Sequence, residues 1–348
     1  MIYGNEKDII VLAGDIGGTK TDLALYSSQK GLRSPLVKEN FPSKEYTGLE
    51  DIVKKFLSRH HIQIDRAGFG VAGPVVNGQA EITNLPWVMD ETILAQRLHF
   101  KSVCLLNDVT AFANAVPFLT EKDLHRIKKG DSVPRGAMAV VSPGTGLGEA
   151  FLVWDGSAYR AFPSEGGHAD FAPTNPMEAD LLGYLATRFD HVSYERVCSG
   201  IGMANIHAYF QKAGHDGNPC CSAELLSAAE DPVPHIIRNA LDSKQPCSLC
   251  RKTLSAFVSI LGAEAGNMAL KTMATGGVYL GGGIPPRILQ VLENDVFLTS
   301  FIRKGRMSDL MKKIPVYVIV YPDAALLGAA HHAMTTNAFR NAAGEKGK

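Results

Sequence analysis

The chain has 348 residues, 45% of them hydrophobic and 20% charged, which suits a folded protein of two domains and not a disordered chain. Its 35 Lys+Arg balance 35 Asp+Glu, so broad attraction to nucleic acid or to an anionic membrane is not expected, and a small-molecule partner is. Met1–Lys7 is polar and too short for a secretory core, and apolar runs such as Val316–Tyr321 have strand length, well short of the ~20 residues of a spanning helix; a soluble cytoplasmic protein is the expectation.

In chain order, Ile9–Leu12 and Leu23–Tyr26 read as strands around a glycine-rich turn, together a hairpin. Leu49–Ser58 has helical spacing, Ala67–Ala72 is a short strand ending at Gly73-Pro74, and Asp90 is placed to cap a helix through Leu98. Val103–Leu106 is an apolar strand, followed by Asn107-Asp108 and a helix from Thr110 to about Val116. A second cycle then opens the same way: strand Ala137–Ser142, turn Pro143–Gly148, returning strand Glu149–Trp154. Helices are predicted at Pro176–Phe189, at Gly200–Lys212 under a Ser199 cap, and as a long amphipathic element over Thr253–Ala274. Strand Gly277–Leu280 leads into Gly281-Gly282-Gly283 and a proline-started helix; Val316–Val320 is the last strand and Ala324–Met334 the last helix. Ala213–Ser222 reads as a surface loop, Cys104 and Cys198 as small core residues. Cys247-x-x-Cys250 lacks the second pair a zinc site needs.

The two glycine turns carry the first chemical argument. Glycine lets backbone N–H groups approach an anion without a Cβ in the way, and consecutive N–H groups form an anion-binding nest. Gly14, Asp15, Ile16, Gly17, Gly18 and Thr19 form the first candidate phosphate site, with Thr19 adding a hydroxyl and Asp15 a carboxylate able to hold a water of Mg²⁺. The spacing is not that of a P-loop, and a strand follows it where a dinucleotide fingerprint has a helix. Gly144, Thr145 and Gly146 repeat the chemistry in the second hairpin, and Gly282 sits in a third glycine run against which an adenosine would lie. Two such turns opening two similar α/β units predict a nucleotide as ligand.

An acceptor site follows. Asp108 stands just past a strand end, where α/β folds place ligands, and is the best candidate for a general base; it also reads as a mere helix cap. Asn107 offers both a donor and an acceptor to a diol. Glu165 and His168 flank a Gly-Gly bend, and Glu195 precedes a capped helix, a set better suited to sugar hydroxyls than to a metal. Taken singly, His168 also reads as a core histidine and Glu195 as a solvated carboxylate.

These stretches, with GDIGGTK, TNLPW, LLNDVTAFA, PGTGLGEA, PSEGGHADFAP, VSYERVCSG, YLGGGIPPR and IPVYVIVYPDAALLGAA in order from about Ile9 to Ala333, make the chain similar to the bacterial-type glucokinases of the hexokinase, actin-like ATPase superfamily. The resemblance implies a two-domain α/β fold of the actin-like ATPase (ribonuclease H-like) kind, with a cleft between a small domain, 1–117 joined by the C-terminal helix 323–348, and a large one, 118–322. It implies transfer of the γ-phosphate of ATP to the 6-hydroxyl of glucose with Mg²⁺, Asp108 as base, Asn107, Glu165, His168 and Glu195 on the sugar, and a homodimer. One motif departs from it: Lys20-Thr21-Asp22 stands where such glucokinases often show Asn-x-Arg, a local change of about two charges. The Lys20 form resembles the ROK sugar kinases and repressors, whose CxCGxxGC zinc motif is absent from the sequence. Rival readings are a sugar sensor, a kinase for mannose, fructose or an N-acetylated hexosamine, and a chaperone or filament ATPase on the same fold.

Overall fold

A computed structural model describes residues 8–82, 85–214 and 231–344, and the chain divides into two compact units. One runs to Leu119 and resumes at Tyr321; the other runs from Thr120 to Val320. Thr83, Asn84, Cys220, Cys221 and most of the loop predicted at Ala213–Ser222 lie outside the described residues.

In the first unit, β1 (Ile10–Ile16) and β2 (Lys20–Ser27) form the predicted hairpin, reaching closer to the turn than the apolar runs suggest. Then come β3 (Val37–Pro42), α1 (Leu49–His60), β4 (Arg66–Val71), the small strands β5 (Val75–Val76), β6 (Gln79–Glu81) and β7 (Val88–Asp90), α2 (Glu91–Leu98), β8 (Ser102–Asn107) and α3 (Asp108–Ala115). The main sheet has the order β3-β2-β1-β4-β8, antiparallel on one side of β1 and parallel on the other. Both faces are buried, because alternate residues of a strand point to opposite sides. Leu12, Ile16, Leu23 and Phe69 meet Ile52 and Phe56 of α1 and Leu94 of α2. Val11, Ala13, Ala24 and Tyr26 share the other cluster with Ala111 of α3 and the C-terminal helix.

The second unit contains β9 (Leu124–Lys128), β10 (Met138–Pro143), β11 (Leu147–Trp154), β12 (Tyr159–Ser164), α4 (Pro176–Ala186), α5 (Gly200–Lys212), α6 (Val233–Leu241), α7 (Ser248–Thr272), β13 (Gly277–Leu280), α8 (Leu289–Leu292), α9 (Asp295–Ile302), α10 (Ser308–Lys313) and β14 (Val316–Ile319). Its sheet runs β12-β11-β10-β13-β14-β9. The first five strands repeat the order and directions of the first unit's sheet, and β9 adds an antiparallel edge. The duplication read from two glycine turns is therefore a duplication of sheets.

Three expectations change. The helix predicted from Thr110 begins two residues earlier, because the Asn107 side chain accepts from the N–H groups of Val109 and Thr110 and caps it. The helix predicted as amphipathic over Thr253–Ala274 starts at Ser248 and is buried on most sides, its core residues running from Cys250 to Ala269. Among the described residues it is the helix long and apolar enough to cross a membrane by length and composition, and it forms the centre of the second unit's core instead. The proline-started helix after Gly283 is a 3-10 turn, Pro285–Arg287, ahead of the short α8. Cys104 and Cys198 are buried, as small core residues should be.

The last helix, α11 (Ala324–Gly344), belongs to the first unit and lies against α3. Ala329, Ala330 and Ala333 keep its contact face shallow, and a Cβ on Gly328 would stand 1.8 Å from the Ala111 carbonyl oxygen. A Gly→Ala change inside a helix ordinarily gains about 1 kcal/mol. Here overpacking of about 1–3 kcal/mol opposes that gain, so Gly328→Ala is expected to lower the urea midpoint; a raised midpoint would contradict the close approach of α3 and α11.

Candidate functional site

The predicted site residues fall into two groups, one in each unit. In the first, parallel pairing sets Asp15 of β1 beside Gly70 of β4 and Gly70 beside Leu106 of β8, so β1, β4 and β8 end together. A Cβ on Gly70 would lie 2.8 Å from the Cβ of Ala111 and 3.8 Å from both the Gly14 carbonyl oxygen and the Asp108 Cα. The missing side chain is what lets the start of α3 settle on the sheet next to β1. Asp108 is thus the first residue of α3 and not its cap; its Oδ1 accepts from the Val109 N–H at 2.8 Å. Asn107 spends its oxygen on the cap and one amide hydrogen on the Gly73 carbonyl at 3.2 Å, which leaves one N–H for a ligand.

Asp15 is partly buried, and its pKa is raised to about 6, first by desolvation, then by the charges of Asp108 and Asp22, with Lys20 and Lys38 opposing. Asp22 is its cross-strand neighbour in the hairpin. Its carboxylate is held by Lys20 Nζ at 2.9 Å and Asn40 Nδ2 at 2.8 Å, and Lys38 is paired with Asp323. The departure at Lys20–Asp22 is therefore an internally closed ion pair.

The glycine turn is shorter than the motif. Gly14, Asp15 and Ile16 belong to β1, and the turn itself is Gly17-Gly18-Thr19, closed by Gly17 N–H to the Lys20 carbonyl at 2.9 Å. Ser43 braces it, donating its N–H to the Thr19 carbonyl at 3.1 Å and its hydroxyl to the Gly17 carbonyl at 2.8 Å. The N–H groups of Gly18 and Thr19 have no acceptor among the described residues.

In the second unit Gly144-Thr145-Gly146 occupies the same place between β10 and β11. Gly144 N–H closes onto the Gly146 carbonyl at 2.9 Å, and the N–H groups of Thr145 and Gly146 have no acceptor among the described residues. The Gly144 carbonyl receives the Gly200 N–H at 2.8 Å, at the first residue of α5. Beside the turn, Gly281 N–H donates to the Val141 carbonyl at 2.9 Å, and Gly282 takes φ +78° with its Cα against Pro143. A cavity of about 490 Å³ opens there, lined among others by Gly144, Thr145, Gly200, Asn205, Gly283 and Arg287. Arg287 closes the YLGGGIPPR stretch without having been singled out, and Asn205 carried no sequence signal, since nothing local connects it to the turn.

Glu165 and His168 bracket a 3-10 turn, exposed, with His168 Nε2 3.9 Å from Glu165 Oε2. His168 is thus not a core histidine. Glu195 lies in the turn Tyr194–Arg196, joined to the first turn's exit by the Tyr194 N–H to the Ala169 carbonyl at 3.0 Å. Its Oε2 accepts the Leu147 N–H at 3.0 Å, so the residue that reads equally as solvated is tied to the end of the glycine turn.

A protein-family model described as Glucokinase matches residues 12–336. The chain belongs to the glucokinase family. It is 39% identical over 336 residues to a glucokinase of Nostoc punctiforme, covering 92% of this chain and 98% of that one. Among solved structures it resembles a glucokinase from an Antarctic psychrotroph, with a TM-score of 0.80, 32% identity, and 94% and 99% of the two chains covered. At 18% identity and a TM-score of 0.60, over 94% of this chain and 99% of the other, it shares the fold of a ROK family glucokinase from Streptomyces griseus solved with glucose and AMPPNP. The fold is that of the actin-like ATPase sugar kinases.

Ser199 ties the second group together: its hydroxyl donates to the Glu195 carbonyl at 2.6 Å and accepts from the Gly202 N–H at 3.0 Å. Ser199→Ala is expected to cost about 1 kcal/mol of stability through loss of the cap, measured by denaturant titration.

Proposed function

We propose that this member of the glucokinase family transfers the γ-phosphate of ATP to the 6-hydroxyl of D-glucose, giving glucose 6-phosphate and ADP. The observation that carries the reading is the Glu195–Leu147 hydrogen bond. It joins a set of polyol-binding side chains to a glycine turn with free N–H donors, as a sugar kinase requires and a nucleotide-binding module does not.

Glucose would be held by Asn107, Glu165, His168 and Glu195. Carboxylates, an imidazole and an amide supply both acceptors and donors, so an analogue lacking a hydroxyl leaves one of them unpaired, which is the strongest basis for rejection. The phosphates would meet the N–H groups of Gly18, Thr19, Thr145 and Gly146, and the adenosine would fill the 490 Å³ cavity beside Gly282. Those fixed N–H dipoles need no reorganisation as negative charge develops. Asp108 would accept the proton of the 6-hydroxyl as that oxygen attacks phosphorus in line; phosphoryl transfer asks of the protein chiefly positioning and charge stabilisation.

The donor set also fits magnesium. Burial first, then the charges of Asp108 and Asp22, raise the Asp15 pKa, and a divalent cation would favour its charged form. Asp15 would hold it through a water, and bound magnesium would neutralise phosphate charge. The reading includes a cytoplasmic homodimer, which the family resemblance supports.

Asp108→Asn keeps the size of the side chain and removes the base. It is expected to lower kcat at least ~10²-fold while glucose affinity changes little. A coupled assay for ADP release, run on glucose, mannose, fructose and N-acetylglucosamine, measures this; near-normal turnover of the variant would sink the assignment.

A further inference from the structure

One charged cluster lies outside the proposed reaction. Glu149 of β11 is 1% exposed and Glu264 of α7 is fully buried. The two side chains are within hydrogen-bonding reach of each other. Both oxygens of Glu149, and Oε1 of Glu264, lack a hydrogen-bond donor among the described residues. Lys271 Nζ approaches Glu264 Oε1 only to 3.6 Å. Two carboxylates in that setting would each leave buried acceptors unpaired and repel one another. A single proton between them turns one acceptor into the missing donor.

The cluster supports both turns that carry the acceptor residues. A Cβ on Gly166 would stand 2.0 Å from Glu149 Oε2, so the Glu149 carboxyl lies directly against the backbone between Glu165 and His168. Gly167 is laid as closely on the Leu147 carbonyl, where a Cβ would stand 2.2 Å away. On the other side, Glu264 Oε2 and the Tyr194 hydroxyl both receive Asn267 Nδ2 at 2.9 Å, and Tyr194 precedes Glu195 in its turn. Lys304 Nζ completes the set, donating to Asn267 Oδ1 at 2.5 Å and to the Ala263 carbonyl at 2.8 Å.

We propose that Glu149 and Glu264 share one proton and act as positioning residues, holding the Gly166 bend and the Tyr194 turn where Glu165, His168 and Glu195 can bind the sugar together. The proposal rests on the glucose reading. Burial first and Glu264 second push the Glu149 pKa to about 8, against Lys271. The other titratable groups facing the pair are Lys304, Tyr194 and Cys198; burial keeps the Tyr194 and Cys198 protons in place. A carboxyl whose folded pKa is raised contributes stability in full below its unfolded value, lost as pH rises through the folded one. That stability declines between the ordinary value of 4.5 and about 8, but the folded chain keeps the shared proton up to about pH 8, so the geometry of the turns is held at neutral pH and loosens above about 8.

The test is glucose affinity by calorimetry from pH 7 to 9.5, with nucleotide affinity as the control for folding. In the wild type glucose Kd is expected to rise above pH 8, by up to about tenfold per pH unit, with nucleotide Kd steady. Glu149→Gln, which keeps shape and a donor but cannot ionise, should match the wild type at pH 7 and flatten the rise; Glu264→Gln leaves Glu149 ionisable without the neighbouring charge and should move the rise to lower pH. A pH dependence of glucose binding that survives in Glu149→Gln or stays unmoved in Glu264→Gln, or a Glu149→Gln variant that keeps nucleotide affinity but loses glucose affinity tenfold at pH 7, overturns the inference alone. A wild type that binds no glucose at pH 7 overturns the functional reading and this inference with it.

Discussion

Repulsion between carboxylates at the end of one sheet is the constraint around which the first unit is arranged. Strands β1, β4 and β8 are parallel and finish together, so the last residues of β1 and the first of α3 arrive at one place. Gly70 lets them come close, and the result is Asp15 beside Asp108 with Asp22 across the hairpin. A chain would not gather three acids for stability, because each disfavours the charge of the others. The compensation inside the chain is partial: Lys20 and Asn40 are bound to Asp22, and Lys38 to Asp323. What is left calls for positive charge from outside, and the start of α3 adds only its dipole. The unusual Lys20–Asp22 sequence changes this balance less than its charges suggest, since the two side chains neutralise each other before either meets a ligand.

The two units solve the same problem with different supports. Each has a three-residue turn at the same point of the same strand order, with two N–H groups left open at its tip. In the first the brace is Ser43, 26 residues on from Gly17. In the second the braces are Gly200 and Glu195, about fifty residues away, and Glu195 belongs to the acceptor set. The second turn is thus mechanically joined to one of the residues proposed to hold the sugar. On the proposed assignment a disturbance of Glu195 would be felt by both substrates, which is a reason to read kinetic changes at this position in both affinities at once.

The parts legible in the sequence were those written in neighbouring residues. The hairpins, the Asp90 and Ser199 caps and the strand before Asn107 each declare themselves within a few positions. Strands β3, β9 and β12 did not, since Val37–Pro42, Leu124–Lys128 and Tyr159–Ser164 are edge or near-edge strands carrying polar residues that break the apolar run. The start of α3 was misplaced for a subtler reason. Both Asn107 and Asp108 are good caps, and only the side-chain geometry shows that Asn107 takes the role and leaves Asp108 free of it.

The Glu149–Glu264 pair marks the limit of such reading. Glu149 follows a glycine at the head of an apolar strand, and Glu264 interrupts an apolar helix, so each alone looks like an ordinary solvent-facing acid. Their burial comes from α7 being enclosed, and enclosure is a property of the helices around it, not of its own sequence. The cost of two buried acids is large enough that an apolar pair would be the more stable choice. What an apolar pair could not do is lie against Gly166 on one side and reach Asn267 and Tyr194 on the other, which links the two sugar turns through one polar core. Stability is given up inside the second unit so that two short turns, neither rigid by itself, hold one geometry.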